Sequence, residues 1–199
     1  KAYGIEQFAL DPYAKSMAVF NQYSDDTIGK AAIVDLNHQA AKPNNFQRSY
    51  RNFDFIANEN DIIVYEINIR DFTIQPGTTD SSIAGTFKGF IQKIDYLKEL
   101  GITHVQFMPV NKAYTQNETD RSYTGKYEED SRYNWGYDPL NYFTLEGRYS
   151  TDPFDPYKRI YEFRELIQAL HDAGIGVILD VVFNHTYQTS IFENIAPAC

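Results

Sequence analysis

Short apolar runs and stretches with helical periodicity alternate along the chain from about residue 61 onward. Runs rich in Val and Ile are typical of strands, whereas apolar residues spaced by three and four positions predict amphipathic helices. The third run is nearly unbroken, which is typical of a strand that is buried on both faces. The predicted strands cover residues 62–69, 102–110 and 174–185, and the predicted helices cover residues 86–100 and 155–173.

Residues with known cap preferences mark the ends of both predicted helices. Gly101 follows the last apolar position of the first helix and fits the C′ position, where glycine adopts a left-handed backbone conformation. Asp155 is predicted to cap the second helix, with Pro156 in its first turn and Gly174 just beyond its end. The cap residues therefore agree with the periodicity.

Alternation of strands and helices predicts an α/β fold with a parallel sheet and right-handed crossovers. The carboxyl ends of the predicted strands then lie at one edge of the sheet, where parallel barrels hold their chemistry. Residues 111–150, which are rich in Tyr, Asn, Asp and Gly, leave from that edge. A connection of this length is usually functional or has secondary structure of its own.

Residues 1–60 have a different pattern from the rest of the chain. They lack helical periodicity and contain clusters of turn-forming residues, with a short strand predicted at residues 30–36. We interpret residues 1–60 as an irregular lead-in that packs against the main fold, with a plain linker as the alternative. Residues 61–199 then form the main domain.

Composition narrows the classes of function. The 199 residues, 43% of them hydrophobic, suffice for one domain or for part of a larger one. The net charge of −9 argues against nucleic acid or an anionic membrane surface as a partner, and no apolar run is long enough to span a membrane. The 16 Tyr and 14 Phe residues provide either a large core or aromatic faces for sugar rings.

The cysteine content leaves the cellular compartment open. Cys199 is the only cysteine, so no internal disulfide can form. Because many secreted bacterial proteins also lack disulfides, a secreted or cell-surface bacterial protein is the favoured interpretation and a cytoplasmic one the alternative. Lys1 in place of an initiator Met, without a visible signal peptide, suggests a processed or trimmed chain.

Asp180 interrupts the third apolar run, which Asn184 and His185 close. An unpaired buried carboxylate is costly, so Asp180 is predicted to have a hydrogen-bond donor or a cation as its partner. The alternative is a strand with one hydrogen-bonded Asp followed by an ordinary polar loop. One carboxylate, one amide and one imidazole are a poor ligand set for a transition metal, so no metal site is predicted here.

Residues 132–139 combine aromatic, amide and carboxylate side chains around Gly136. Aromatic rings stack on the apolar face of a pyranose, whereas amides and carboxylates bind its hydroxyls. Gly136 would let the backbone and a ligand approach each other closely. The alternative is a loop that is folded back, with its aromatic side chains in a small cluster of their own.

The segment Tyr133-Asn-Trp-Gly-Tyr-Asp-Pro139 resembles the signature heptapeptide of type I pullulanases in the α-amylase superfamily. Asp180-Val-Val-Phe-Asn-His185 resembles the first conserved region of that superfamily, at the third strand of its (β/α)8 barrel. Residues 64–72 and 101–110 are similar to its first two strands, and residues 11–15 to the segment that joins a preceding β-sandwich to the barrel. The resemblance implies the N-terminal part of a (β/α)8 TIM barrel, roughly its first three strands, preceded by an irregular lead-in.

The resemblance also implies a role for each matching residue. Tyr137 would stack on the sugar in subsite −1, and Asp138 and His185 would lie near hydroxyls of that sugar. Trp135 would shape the pocket wall, and Asp180 would hold a basic residue of the next strand. Substrate binding is thus assigned to Asn134, Trp135, Tyr137, Asp138 and His185, with Asp180 and Asn184 in supporting positions.

The implied function is part of a pullulanase-type hydrolase that cleaves α-1,6 branch linkages in pullulan, starch or glycogen limit dextrins with retention. Its catalytic carboxylates are expected beyond Cys199, so the chain alone is predicted to be inactive. The implied partners are an α-glucan and the remainder of the catalytic barrel. The alternatives are an α-amylase-like or isoamylase-like enzyme and a non-catalytic glucan-binding protein. No cofactor is predicted, but Asn184 matches a calcium-binding position of many amylases, so calcium stays an open alternative.

Overall fold

The computed structural model describes residues 8–47, 56, 58–124, 133–193 and 195. Strands alternate with helices after the lead-in, as the hydrophobic pattern predicts. The strands are β1 (Val64–Ile67), β2 (His104–Phe107), β3 (Asn111–Ala113), β4 (Pro139–Leu145) and β5 (Gly176–Leu179), and the helices are α1 (Phe87–Ile91), α2 (Ile94–Leu100), α3 (Lys158–Asp172) and α4 (Ser190–Glu193). Short 3-10 helices cover Gln39–Ala41, Glu59–Asp61 and Gly147–Tyr149.

Strands β1, β2 and β5 form a parallel sheet in that order, which confirms their predicted common direction. Tyr65 pairs with Val105, and Val105 pairs with Val177, so these side chains share one face of the sheet. Each strand is shorter than predicted. The ladder nevertheless continues for one hydrogen bond, because Asp180 N donates to Phe107 O at 3.0 Å.

Helices α1, α2 and α3 pack on that face and form the main hydrophobic core with it. Leu97 of α2 and Leu166 of α3 are completely buried there. The ring of Phe163 in α3 lies 5.1 Å from the ring of Phe87 in α1 and 6.3 Å from that of Phe107 in β2. The apolar stripes that predict the helices are therefore the faces that contact the sheet.

The single helix predicted for residues 86–100 is in fact two helices. Thr86 caps the first with its side chain, and Gly101 ends the second with a φ of +75°. Between them Lys93 N donates to Phe90 O at 2.9 Å, and this three-residue spacing tightens the backbone into a turn. Periodicity does not reveal the break because the apolar residues on both sides still face the core.

Helix α3 begins later than predicted. The Asp155 carboxylate accepts a hydrogen bond from Tyr157 N at 2.8 Å and closes a turn that precedes Lys158, the first helical residue. Asp155 is therefore a turn residue and not the predicted cap. Gly174 follows the helix with a φ of +77°, as its sequence position predicts.

Strand β5 is not buried on both faces, which contradicts the prediction from its unbroken apolar run. Ile178 and Leu179 are 36% and 43% exposed. Among the described residues β5 pairs with β2 alone, so it is an edge strand. Ile178 pairs with Gln106, which donates a hydrogen bond to Glu66 at 3.2 Å on the same face. An apolar run does not show whether its strand lies inside a sheet or at the edge.

Residues 111–150 have secondary structure of their own. Strands β3 and β4 form an antiparallel pair in which Lys112 is opposite Asn141. This hairpin packs against the lead-in in a second apolar cluster, which contains Leu10, Met17, Phe20, Tyr114 and Leu140. The described part of the lead-in is thus a packed segment and not a plain linker.

The strand predicted at residues 30–36 is wrong, because only an isolated bridge joins Ala31 to Met17. Two backbone hydrogen bonds form this bridge, from Ala18 N to Lys30 O and from Ala32 N to Ser16 O, and Ile33 beyond it is fully exposed. Within the described ranges, every helix is too short or too polar to span a membrane.

A cluster of buried charges joins the hairpin to the lead-in and to α3. Lys112, Glu118, Glu146 and Arg159 are at most 2% exposed. Lys112 Nζ lies 2.9 Å from Glu146 Oε2 and 3.4 Å from Glu118 Oε1. Arg159 Nη1 donates to Glu118 Oε1 at 3.0 Å, and Phe20 N donates to Glu118 Oε2 at 2.8 Å. Two cations therefore balance two carboxylates in the interior.

The electrostatics of this cluster depend on its pairing. Burial alone would raise the pKa of Glu118, but the charges of Lys112 and Arg159 hold that pKa below its ordinary value. Burial raises the pKa of Glu146, and the neighbouring Glu118 charge adds to the effect. Glu118 is thus the carboxylate that the two cations hold ionised.

Candidate functional site

The loop of residues 133–139 lies across the carboxyl ends of the sheet strands. Asn68, which follows β1, donates from Nδ2 to Asn134 O at 3.2 Å. Tyr137 contacts two residues that follow β5. The strand ends therefore meet the long connection of residues 111–150, here called the excursion, as the predicted parallel topology requires.

Gly136 brings this loop close to the end of β2. Its φ is +92°, and an ideal Cβ at this position would lie 2.6 Å from Pro109 O. Any side chain here would clash with backbone, so the position requires glycine. A close approach exists at Gly136, and its partner in the described chain is the Pro109 carbonyl; approach of a ligand to this glycine stays a prediction.

The hydroxyl of Tyr137 fixes this side chain to the end of β5. Tyr137 Oη donates to Asp180 Oδ2 at 2.6 Å, which supplies the donor that the sequence predicts for Asp180. This hydrogen bond, together with burial and the Asp180 charge, raises the pKa of Tyr137 to about 12. The phenol therefore keeps its proton across the physiological range and remains a donor.

His185 lies beside the same tyrosine. Its Nε2 is 2.8 Å from Tyr137 O, and its own carbonyl accepts a hydrogen bond from Tyr142 Oη at 3.0 Å. Because a carbonyl oxygen only accepts, Nε2 is the protonated nitrogen and Nδ1 is the acceptor of the neutral ring. The imidazole is exposed. Tyr137, Asp180 and His185 thus form one group at the carboxyl edge.

Asn134 and Asp138 are hydrogen-bonded to each other and to Thr115. Asp138 Oδ2 accepts from Thr115 N at 2.8 Å and also from Thr115 Oγ1. Asn134 Nδ2 donates to Asp138 Oδ1 at 3.0 Å and to Thr115 Oγ1 at 2.7 Å. These contacts hold the loop in shape, and contact of either side chain with a sugar stays a prediction.

Thr115 is a residue that sequence reasoning missed. It follows β3, and it reaches Asn134 and Asp138 because β3 pairs with β4. A lone threonine in a polar stretch gives no local signal of such a contact.

Two aromatic side chains form an exposed rim next to this group. Trp135 is 55% exposed and Tyr133 is 42% exposed, and their rings meet edge to face with centroids 6.0 Å apart. Asn184 is also exposed. Within the described ranges, no three or more His, Cys, Asp or Glu side chains form a group that could hold a metal ion, and calcium binding at Asn184 stays an open alternative.

Titration of Tyr137 provides a direct test of its hydrogen bond. Because the pKa is raised from 10.0 to about 12, we expect Tyr137 to remain a phenol at pH 11, when an ordinary tyrosine is mostly ionised. The stabilising bond is present below pH 10 and is lost as the pH rises through about 12. The ¹³Cζ resonance of Tyr137, assigned with Tyr137→Phe, reports the ionisation. Asp180→Asn should return the pKa toward 10, and ionisation near 10 in the unaltered chain would contradict the geometry.

Comparison with known proteins identifies similar catalytic modules. The family described as Alpha amylase, catalytic domain, matches residues 43–196. Pullulanase A of Streptococcus pneumoniae is 45% identical over 200 residues, which cover 95% of this chain and 15% of that protein. The solved catalytic module of the glycogen-degrading pneumococcal virulence factor SpuA is 42% identical with a TM-score of 0.88, over 99% of this chain and 28% of that one.

A further similar structure was solved, this one with a sugar ligand. The Group B Streptococcus pullulanase SAP in complex with maltotetraose is 42% identical to this chain with a TM-score of 0.84. The match covers 94% of this chain and 24% of that one. The chain thus spans less than a third of each of these relatives, and its match to SpuA includes almost every residue here.

Proposed function

The chain belongs to the α-amylase family of glycoside hydrolases, and from this premise we propose that it forms the sugar-binding part of a pullulanase-type enzyme. Its parallel sheet is part of the family's (β/α)8 barrel, as in the catalytic modules that it matches. The proposed reaction is hydrolysis of α-1,6 branch linkages in pullulan, starch or glycogen limit dextrins, with retention at the anomeric carbon.

The observation that carries the proposal is the position of Tyr137 between Asp180 and His185. Its hydroxyl is held at 2.6 Å by the carboxylate, and its carbonyl lies 2.8 Å from the imidazole. A tyrosine held at its hydroxyl and at its backbone carbonyl presents a flat apolar face with little further loss of conformational freedom on binding. Such a face at the carboxyl edge suits the sugar in subsite −1.

His185 and Trp135 complete the proposed sugar site. With Nε2 engaged by Tyr137 O, His185 Nδ1 can accept a hydrogen bond from a sugar hydroxyl. A bond of this kind strengthens as the ring flattens toward an oxocarbenium ion, which favours the transition state over the bound substrate. The exposed Trp135 ring forms the wall beside it. Asn134 and Asp138 shape the loop and border the sugar.

We place the catalytic carboxylates outside this chain. A retaining glycosidase needs a nucleophile and an acid/base about 5 Å apart. Asp138 and Asp180 already accept hydrogen bonds from Thr115, Asn134 and Tyr137, and these bonds hold the loop. The proposed partner is therefore the remainder of the barrel, which would supply the reacting groups.

A branched α-glucan is the proposed substrate. SAP was solved with maltotetraose, and SpuA is described as glycogen-degrading. An open aromatic rim suits a neutral polysaccharide better than a charged ligand, and the chain's net charge of −9 opposes anionic substrates.

Hydrolysis of pullulan by the full-length protein that contains this chain tests the proposal. We expect reducing sugar from pullulan, little from linear amylose, and none from either with the 199-residue chain alone. Tyr137→Ala should lower kcat/KM on pullulan by roughly 100-fold, because the sugar loses its positioning surface. Tyr23→Ala changes a side chain of the lead-in that is 80% exposed and should leave kcat/KM unchanged.

Other outcomes would favour the alternatives. Preference for amylose over pullulan would identify an amylase-type enzyme. Glucan binding by the full-length protein without any hydrolysis would identify a non-catalytic glucan-binding protein.

A further inference from the structure

A cavity of about 340 Å³ lies between the loop that follows β1 and the excursion. Residues between positions 74 and 84 form one wall, and Arg121 and Tyr123 form the other. Pockets for small ligands typically enclose about 300–1,000 Å³, so the cavity is large enough for a sugar. Its lining residues are all different from those of the group around Tyr137.

Both walls of the cavity are tied to the rest of the fold. Thr73 Oγ1 accepts a hydrogen bond from Gly85 N at 2.9 Å, which closes the loop at its base. Ile74 at the start of the loop is buried. On the other side, Arg70 Nη2 donates to Ser122 O at 2.8 Å. The cavity is therefore formed before a ligand arrives, which lowers the ordering cost of binding.

The lining combines an aromatic face with polar groups. Tyr123 is 43% exposed and offers its ring to the cavity. Arg121 Nη1 and Thr79 Oγ1 are buried and have no hydrogen-bond partner within the described part of the chain. Unpaired buried polar atoms cost free energy, so a hydroxyl that reached them would stabilise the complex. Further amide and hydroxyl groups come from Gln75, Ser81 and Ser82.

We propose that this cavity is an accessory binding site for an α-glucan chain, separate from the site around Tyr137. The identity of the ligand as an α-glucan rests on the proposed function. A polyhydroxylated ligand matches the hydroxyl, amide and aromatic groups of the lining, in which Arg121 can donate to a sugar hydroxyl, and the net charge of −9 opposes an anionic polymer. The loop after β1 and the excursion both lie at the carboxyl edge of the sheet, so the two sites can engage one branched polymer.

Affinity electrophoresis of the full-length protein through gels that contain glycogen tests this site. Tyr123→Ala and Arg121→Gln should each raise the Kd for glycogen about tenfold. Tyr123→Phe keeps the aromatic face and should stay within about twofold of the unaltered protein, since only the hydroxyl is lost. Tyr23→Ala is the matched control for loss of an exposed tyrosine elsewhere. Circular dichroism spectra identify any variant that fails to fold.

The outcomes separate this site from the proposed function. If the mobilities of Tyr123→Ala and Arg121→Gln in glycogen gels both equal that of the unaltered protein, the accessory site is overturned. Equal losses in Tyr123→Ala and Tyr123→Phe would do the same, because the aromatic face would then not be the contact. If Tyr123→Ala weakens glycogen binding while the unaltered protein fails to cleave pullulan, the accessory site stands and the proposed function falls. Retained glycogen binding in a Tyr137→Ala variant that no longer cleaves pullulan would support both.

Discussion

Replacement of Gly136 by Ala is expected to displace the loop of residues 133–139 and release Tyr137 from Asp180. The φ of +92° disfavours any side chain, and the new Cβ would lie 2.6 Å from Pro109 O. A left-handed conformation costs an L-residue about 1–2 kcal/mol, and a steric clash in a packed site adds about 1–3 kcal/mol. We expect the free energy of unfolding to fall by about 2–5 kcal/mol, or the loop to move and the Tyr137 pKa to fall toward its ordinary value. Urea denaturation and ¹³C tyrosine spectra measure the two effects.

Gly101→Ala is the matched control for this substitution. Gly101 has a φ of +75°, but a Cβ at this position would meet no atom within 4 Å. The control therefore includes the backbone cost of about 1–2 kcal/mol without the clash. Equal losses of stability in the two variants, with the Tyr137 pKa unchanged in both, would show that contact with Pro109 does not position the loop.

Substitution of Glu118 by Gln should produce the other large effect. The amide keeps the shape and one acceptor oxygen, but buried Arg159 then loses the carboxylate it pairs with, and Lys112 keeps its pairing with Glu146. Loss of one partner from a buried ion pair typically costs about 3–5 kcal/mol, because a charge is left uncompensated. The fall in the free energy of unfolding is measurable by urea denaturation followed by circular dichroism.

Two further variants sharpen this test. Glu99→Gln removes an exposed carboxylate of α2 and should change stability by no more than about 0.5 kcal/mol. Arg159→Met in the Glu118→Gln background removes the buried cation that has lost its carboxylate and leaves the Lys112–Glu146 pair in place, so it should recover part of the loss. A Glu118→Gln protein as stable as the Glu99→Gln control would contradict the charge pairing.

Features with a local cause could be predicted from the sequence. The common direction of the three sheet strands follows from alternation with helices, and Gly101 and Gly174 have the positive φ that their positions indicate. The meeting of Tyr137 and His185 follows from that topology, because the carboxyl ends of parallel strands share one edge.

Features that depend on distant segments could not be predicted. Lys112 and Glu118 are ordinary charged residues in a polar stretch, and they become buried only when the hairpin, the lead-in and α3 pack together. Thr115 gains its role through the β3–β4 pairing, and β5 is exposed because of its place at the sheet edge. Neither composition nor periodicity reveals these contacts between segments that are far apart in the sequence.

The buried charge cluster limits how the excursion can be re-engineered. Glu118 binds the backbone of Phe20 and the side chain of Arg159, so the insert between the second and third barrel strands is anchored at two remote points of the polypeptide. If a relative's insert were grafted here to alter specificity, buried charges of opposite sign would be left unpaired. The lead-in and the first turn of α3 would have to be transplanted as well. The unit to exchange in recombination is therefore the insert together with the lead-in and the first turn of α3.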